Sequence, residues 1–128
     1  MRFFVALLLL QSPASLAATS SESSVYVCRF EEDPNGFSSL RMKKYFDFNE
    51  NMELGKVDLI QNFMVVESTP TKVYQIPLLD NKTYVQMWHS ANLLVDAHLS
   101  YAQGHQEFRA TYKKDSQSKK ILCVELQP

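Results

Sequence analysis

SSVYVCRF, residues 23–30, and KKILCVEL, residues 119–126, hold the only two cysteines of a 128-residue chain, Cys28 and Cys123. Both runs are rich in β-branched, aromatic and aliphatic residues, the composition of a strand. In the first, Tyr26, Cys28 and Phe30 alternate with Val25, Val27 and Arg29, which is the period of two that separates the faces of a sheet. Sulfur confined to the first and last apolar segments predicts that the two segments are neighbours joined by a Cys28–Cys123 disulfide. Neither cysteine has a C-x-x-C partner, so the spacing offers no support for a metal or redox motif.

The compartment follows from the start of the chain. MRFFVALLLLQSPASLA, residues 1–17, has one basic residue, a short apolar run from Phe3 to Leu10, then Pro13 and a small-residue cleavage site at Ser15 and Ala17. That is the pattern of a secretory signal peptide, too short in its apolar part to span a bilayer. The expected organisation is a signal peptide at 1–17, a polar linker at 18–24 and a single β domain at 25–128. An exported chain meets an oxidising environment, in which a cysteine pair closes into a disulfide. The expected location is secreted or periplasmic, without membrane insertion after cleavage.

Between the cysteines the chain reads as strand after strand. In residues 38–49, Leu40, Met42, Phe46 and Phe48 share one parity while Arg41, Lys43, Tyr45 and Asp47 share the other. Residues 49–55 are expected as a turn, and 56–67 as a strand with apolar residues on both parities and a bulge near Gln61-Asn62. Ser68-Thr69-Pro70 is expected to break that run before a further strand at 71–79, which Pro77 places at an edge or ends early. Residues 83–89, with Tyr84, Val85, Met87 and Trp88, read as a strand and 93–101 as an alternating, half-buried one; Gly104 marks a turn before a strand that starts at His105, and a polar loop at 114–119 precedes the last strand at 121–126. About eight strands with short connections and no convincing helix predict an all-β, antiparallel meander barrel; a two-sheet sandwich is the alternative. In a closed meander the first and last strands become neighbours, which places Cys28 beside Cys123.

Charge excludes little but is informative. With 13 Lys plus Arg against 14 Asp plus Glu, the chain has no global excess that favours nucleic acid. Histidines at 89, 98 and 105 lack metal-motif spacing, serines lack a nucleophile elbow, and the glycines at 36, 55 and 104 form no phosphate loop. No enzymatic activity, cofactor or metal is expected. Lys44 stands on the apolar parity among Leu40, Met42 and Phe46, and with Tyr84 and Trp88 it is a candidate ligand-binding residue inside the barrel. On the opposite parity, Arg41, Lys43 and Tyr45 form a basic strand face suited to an acidic or sugar-bearing partner. Asn81-Lys82-Thr83 is an N-glycosylation sequon in a loop, relevant only in a eukaryotic secretory pathway.

The opening Val25-Tyr26-Val27-Cys28 is similar to the start of periplasmic inhibitors of c-type lysozyme, but that family's later loop motif has no counterpart here. Strand number is similar to the lipocalins, whose Gly-x-Trp signature is absent. Neither resemblance transfers a functional residue. The expected function is a non-enzymatic binding protein whose small barrel holds a small amphipathic ligand. Its alternatives are a protein-binding module, such as an inhibitor of a cell-wall or host hydrolase, and a structural envelope subunit.

Overall fold

The computed structural model describes residues 20–33, 35–101 and 107–126. Eight antiparallel strands close into a barrel in chain order: β1 (Ser20–Phe30), β2 (Ser38–Asp47), β3 (Met52–Gln61), β4 (Met64–Pro77), β5 (Thr83–His89), β6 (Leu93–Ser100), β7 (Phe108–Lys114) and β8 (Gln117–Leu126). The meander expectation is met, and the barrel reading prevails over the sandwich. β1 and β8 form the seam, with Cys28 opposite Cys123 in register and the two sulfurs bonded at 2.03 Å.

The alternation of side chains explains what fills the barrel. Tyr26, Cys28 and Phe30 of β1 and Leu40 and Met42 of β2 point inward, and so do Trp88, Val95, Ile121 and Cys123 from β5, β6 and β8; all are buried. The middle of the barrel is occupied by side chains, as the narrow bore of an eight-stranded barrel permits. Aromatic rings lock this centre. Tyr26 meets Trp88 and Phe108 edge-on, with centroids 5.9 and 5.7 Å apart.

Several boundaries differ from the sequence reading, each for a physical reason. β1 begins at Ser20, so residues expected as linker are paired: Ser20, Ser21 and Glu22 face Asp47, Phe46 and Tyr45. Backbone pairing needs only a neighbouring strand long enough to offer partners, and β2 extends to Asp47. Gly55, expected in a turn, lies inside β3 opposite Lys44. The expected bulge at Gln61-Asn62 is a hairpin turn. Asn62 and Phe63 both take positive φ, 52° and 67°, as a two-residue hairpin connection of the primed type requires.

β4 then runs through Pro70 instead of breaking there. It pairs with β3 from Met64 to Lys72 and with β5 from Lys72 to Pro77, so at Pro70 it has one neighbour and tolerates the missing N–H as an edge strand does. A second early turn, Asp115-Ser116 with Asp115 at φ 55°, starts β8 at Gln117 instead of Ile121. The expected signal peptide at 1–17, the expected turn at Gly104 and His105 fall outside the described residues.

The turns divide into two ends. Those joining β1–β2, β3–β4, β5–β6 and β7–β8 surround one mouth, the hairpin end; the start of β1, the end of β8 and the β2–β3 and β4–β5 turns lie at the opposite end.

Candidate functional site

All three sequence candidates lie on the barrel's inward face. Lys44 is 7% exposed and Trp88 1%, while Tyr84 is half-buried on the same face of β5 as Gln86 and Trp88. Lys44 and Trp88 flank Gly55: Lys44 is its register partner, and a Cβ at Gly55 would stand 2.6 Å from the indole ring of Trp88. The glycine is therefore required by close approach of the ring. Tyr84 stacks at a tilt on Tyr101, centroids 4.7 Å apart.

These residues belong to a polar layer on the inward face of the barrel. Trp88 Nε1 donates to Gln86 Oε1 at 3.1 Å. Burial raises the hydroxyl pKa of Tyr26 and also of Tyr84, and neighbouring carboxylate charge from Glu125 adds to the effect on both, so they remain neutral donors. The sequence reading named Lys44, Tyr84 and Trp88 but not Gln86 or Gly55, which carry no signal without knowledge of what faces them.

A concavity lies elsewhere, at the hairpin end. A cavity of about 410 Å³ opens there over a floor of Phe30, Leu59 and Tyr112. Phe30 and Tyr112 meet edge-on at 5.5 Å, which keeps the floor rigid. Ser38, Gln61 and Gln117 line its walls, and Lys114 and Lys119 stand at its rim. Both lysines are braced. Lys119 pairs with Glu32 at 3.2 Å and sits 5.4 Å from the Phe30 ring centroid, and Lys114 is paired with Glu67. Lys44, Tyr84 and Trp88 do not line this cavity.

Beside the mouth stands an apolar hairpin tip. Phe63 is 97% exposed and is joined by exposed Met64, Val65, Val66 and Phe37, the Phe37 carbonyl accepting the Asn62 N–H. A phenylalanine in left-handed backbone, where glycine is preferred, is a strained choice for a solvent-exposed tip.

Neither a family model, a curated protein nor a solved structure matches the chain. The site must be read from its own chemistry.

The outer wall adds a second feature. Across β2, β3 and β4 runs the row Arg41–Asp58–Ser68. Arg41 donates to Asp58 Oδ2 from Nη2 at 2.9 Å and from Nε at 3.3 Å, and the Ser68 hydroxyl donates to Oδ1 at 2.6 Å. Asp58 is 1% exposed. Burial works against its charge, but the bonds from Ser68 and Arg41 and the nearby charge of Lys56 outweigh it and hold the carboxyl below its usual pKa.

Among the described residues no three His, Cys, Asp or Glu side chains come together in a way that could hold a metal. No helix among the described residues is long and apolar enough to cross a membrane. Asn81 is exposed in the β4–β5 turn at φ 59°, where Asp80 accepts the backbone N–H groups of Lys82 and Thr83 and the Thr83 hydroxyl.

Proposed function

We propose that the protein is an exported, non-enzymatic binding protein that holds one small amphipathic ligand in the mouth at the hairpin end of its barrel. The observation that carries this reading is the cavity itself. An apolar floor of Phe30, Leu59 and Tyr112 under walls of amide and hydroxyl groups and a rim of braced charges is the usual construction of a small-molecule site. Its size, about 410 Å³, suits a ligand of modest length. Lys44, the sequence candidate for contacting a polar head, instead belongs to the internal polar layer in this reading. Export is supported by the leader at 1–17 and by the Cys28–Cys123 bond. The outward-facing Arg41, Lys43, Lys56 and Lys72 argue against a lipid-facing wall, which would carry an apolar band.

The test is a fluorescence titration of the mature protein with a dansyl-labelled medium-chain fatty acid, followed by competition with decanoate and with decyl maltoside to define the head group. Leu59→Trp fills the floor and is expected to weaken binding at least tenfold, roughly the transfer energy of the buried chain segment it excludes. Tyr84→Phe, in the other half of the barrel, is expected to leave binding unchanged. Wild-type affinity in Leu59→Trp would contradict the assignment.

A further inference from the structure

A different observation concerns the outer wall formed by β2, β3 and β4. Lys43 and Lys56 are register partners on adjacent strands with their side chains on the same outward face. Directly opposed like charges destabilise a sheet, whose partners at such positions are ordinarily of opposite sign. Neither lysine is joined by a salt bridge to a described residue, although Lys56 lies close enough to Asp58 for its charge to act on that carboxylate, and Lys72 stands one row further along, opposite Leu54.

The carboxylates of this wall are already committed. Asp58 is held by Arg41 and Ser68, and Asp47 accepts the backbone N–H groups of Asn49 and Glu50. A chain with 13 basic and 14 acidic residues has thus gathered Arg41, Lys43, Lys56 and Lys72 on one wall whose acids are satisfied internally.

Beside these cations the wall is concave. A groove of about 510 Å³ runs over Tyr45, Leu54, Pro70 and Tyr74 and is bordered by Lys72 and His89, with no carboxylate in its lining. It forms where β4 exchanges β3 for β5 as its partner. The groove shares no residue with the mouth cavity.

We propose that this groove docks an acidic polypeptide segment, with an apolar anchor residue seated over Leu54, Pro70 and the two tyrosines and flanking carboxylates meeting Lys43, Lys56 and Lys72. Charge complementarity selects the sign of the occupant, since an anion relieves the Lys43–Lys56 opposition. Shape favours its class: an open, largely apolar groove with cations on its flank takes an extended chain with a side-chain anchor. Nothing in this inference depends on the mouth cavity.

The experiment measures fluorescence anisotropy of the mature, disulfide-bonded protein with a fluorescein-labelled peptide of Glu and Asp around a central Leu-Phe pair. A Lys-for-acid version of the peptide, heparin, and phosphatidylglycerol vesicles serve as the other arms. The acidic peptide is expected to bind, to weaken as salt is raised, and to lose about tenfold or more in affinity with Lys43→Glu. The same substitution is expected to raise Tm by about 1–4 °C, because it replaces an opposed like pair by an opposite one. Lys72→Glu, on the exposed rim, provides a second binding test independent of the opposed pair.

Unchanged affinity in both folded variants, no binding of the acidic peptide at low salt, or preference for heparin or vesicles over the peptide would each overturn the proposal. A Lys43→Glu protein that is less stable than wild type would remove the argument from like-charge opposition.

Discussion

Cys28 and Cys123 face each other across the β1–β8 seam and are bonded, so the covalent link falls where the meander closes on itself. The 95-residue separation makes this the longest loop closure the barrel contains, and the chain-entropy picture assigns such a bond about 4–5 kcal/mol. Replacing both cysteines by alanine is expected to lower stability by about that amount and to loosen β1 and β8 first. Urea unfolding of the two proteins with hydrogen exchange at Val27 and Val124 checks this; an unchanged midpoint would show that the seam closes without the bond.

Gly55→Ala is expected to destabilise by about 1–3 kcal/mol, as overpacking in a filled core does. The added methyl would stand 2.6 Å from the Trp88 ring and 2.8 Å from Thr71 Oγ1. Trp88 is buried and cannot swing away. Thermal unfolding measures the loss, and a blue- or red-shifted Trp88 emission would report the displaced ring. A neutral substitution would mean that the indole is mobile.

Phe63→Gly is expected to stabilise the fold by about 0.5–1 kcal/mol, since φ 67° suits glycine and the exposed ring makes little compensating contact. Differential scanning calorimetry decides it. A destabilised variant would imply that the ring packs on Phe37 or Met64 in solution.

Asp58 sets an acid limit on stability. Its carboxyl is held below the usual value by Ser68, Arg41 and Lys56 against the opposing effect of burial, so the native state favours the ionised form. Its contribution is present above the unfolded value near about 3.9 and is lost as pH falls through the lower folded value. The Tm difference between wild type and Asp58→Asn is therefore expected to be largest near neutrality and to shrink below about pH 4. A difference that grows with acid would reverse the sign and contradict the assignment.

The closed barrel was legible because closure has a sequence signature: alternation in most strands, short connections, and cysteines on the first and last. The β3–β4 hairpin was not. Phe63 occupies a left-handed position where sequence rules look for glycine, and apolar residues on either side of Asn62 read as one continuous run. Pro70 then suggested a break where β4 continues, so the eight-strand count survived with one turn misplaced.

The site was legible only in part. Period-two parity put Lys44 on the inward face and Arg41 and Lys43 on the outer one; it assigned no face to Trp88, which lies inside. The opposition of Lys43 and Lys56, and the gathering of Phe30, Leu59 and Tyr112 into one floor, depend on register and barrel shear. Neither is encoded in any single segment.

The central claim, that the hairpin-end mouth is the ligand site, is tested most directly by nitrogen–proton NMR of the mature protein titrated with decanoate and, separately, decyl maltoside. The account predicts that, with at least one of them, saturable shifts concentrate on Ser38, Leu59, Gln61 and the segment from Tyr112 to Lys119. Shifts confined to Lys44, Tyr84 and Trp88, or none with either amphiphile, would contradict it.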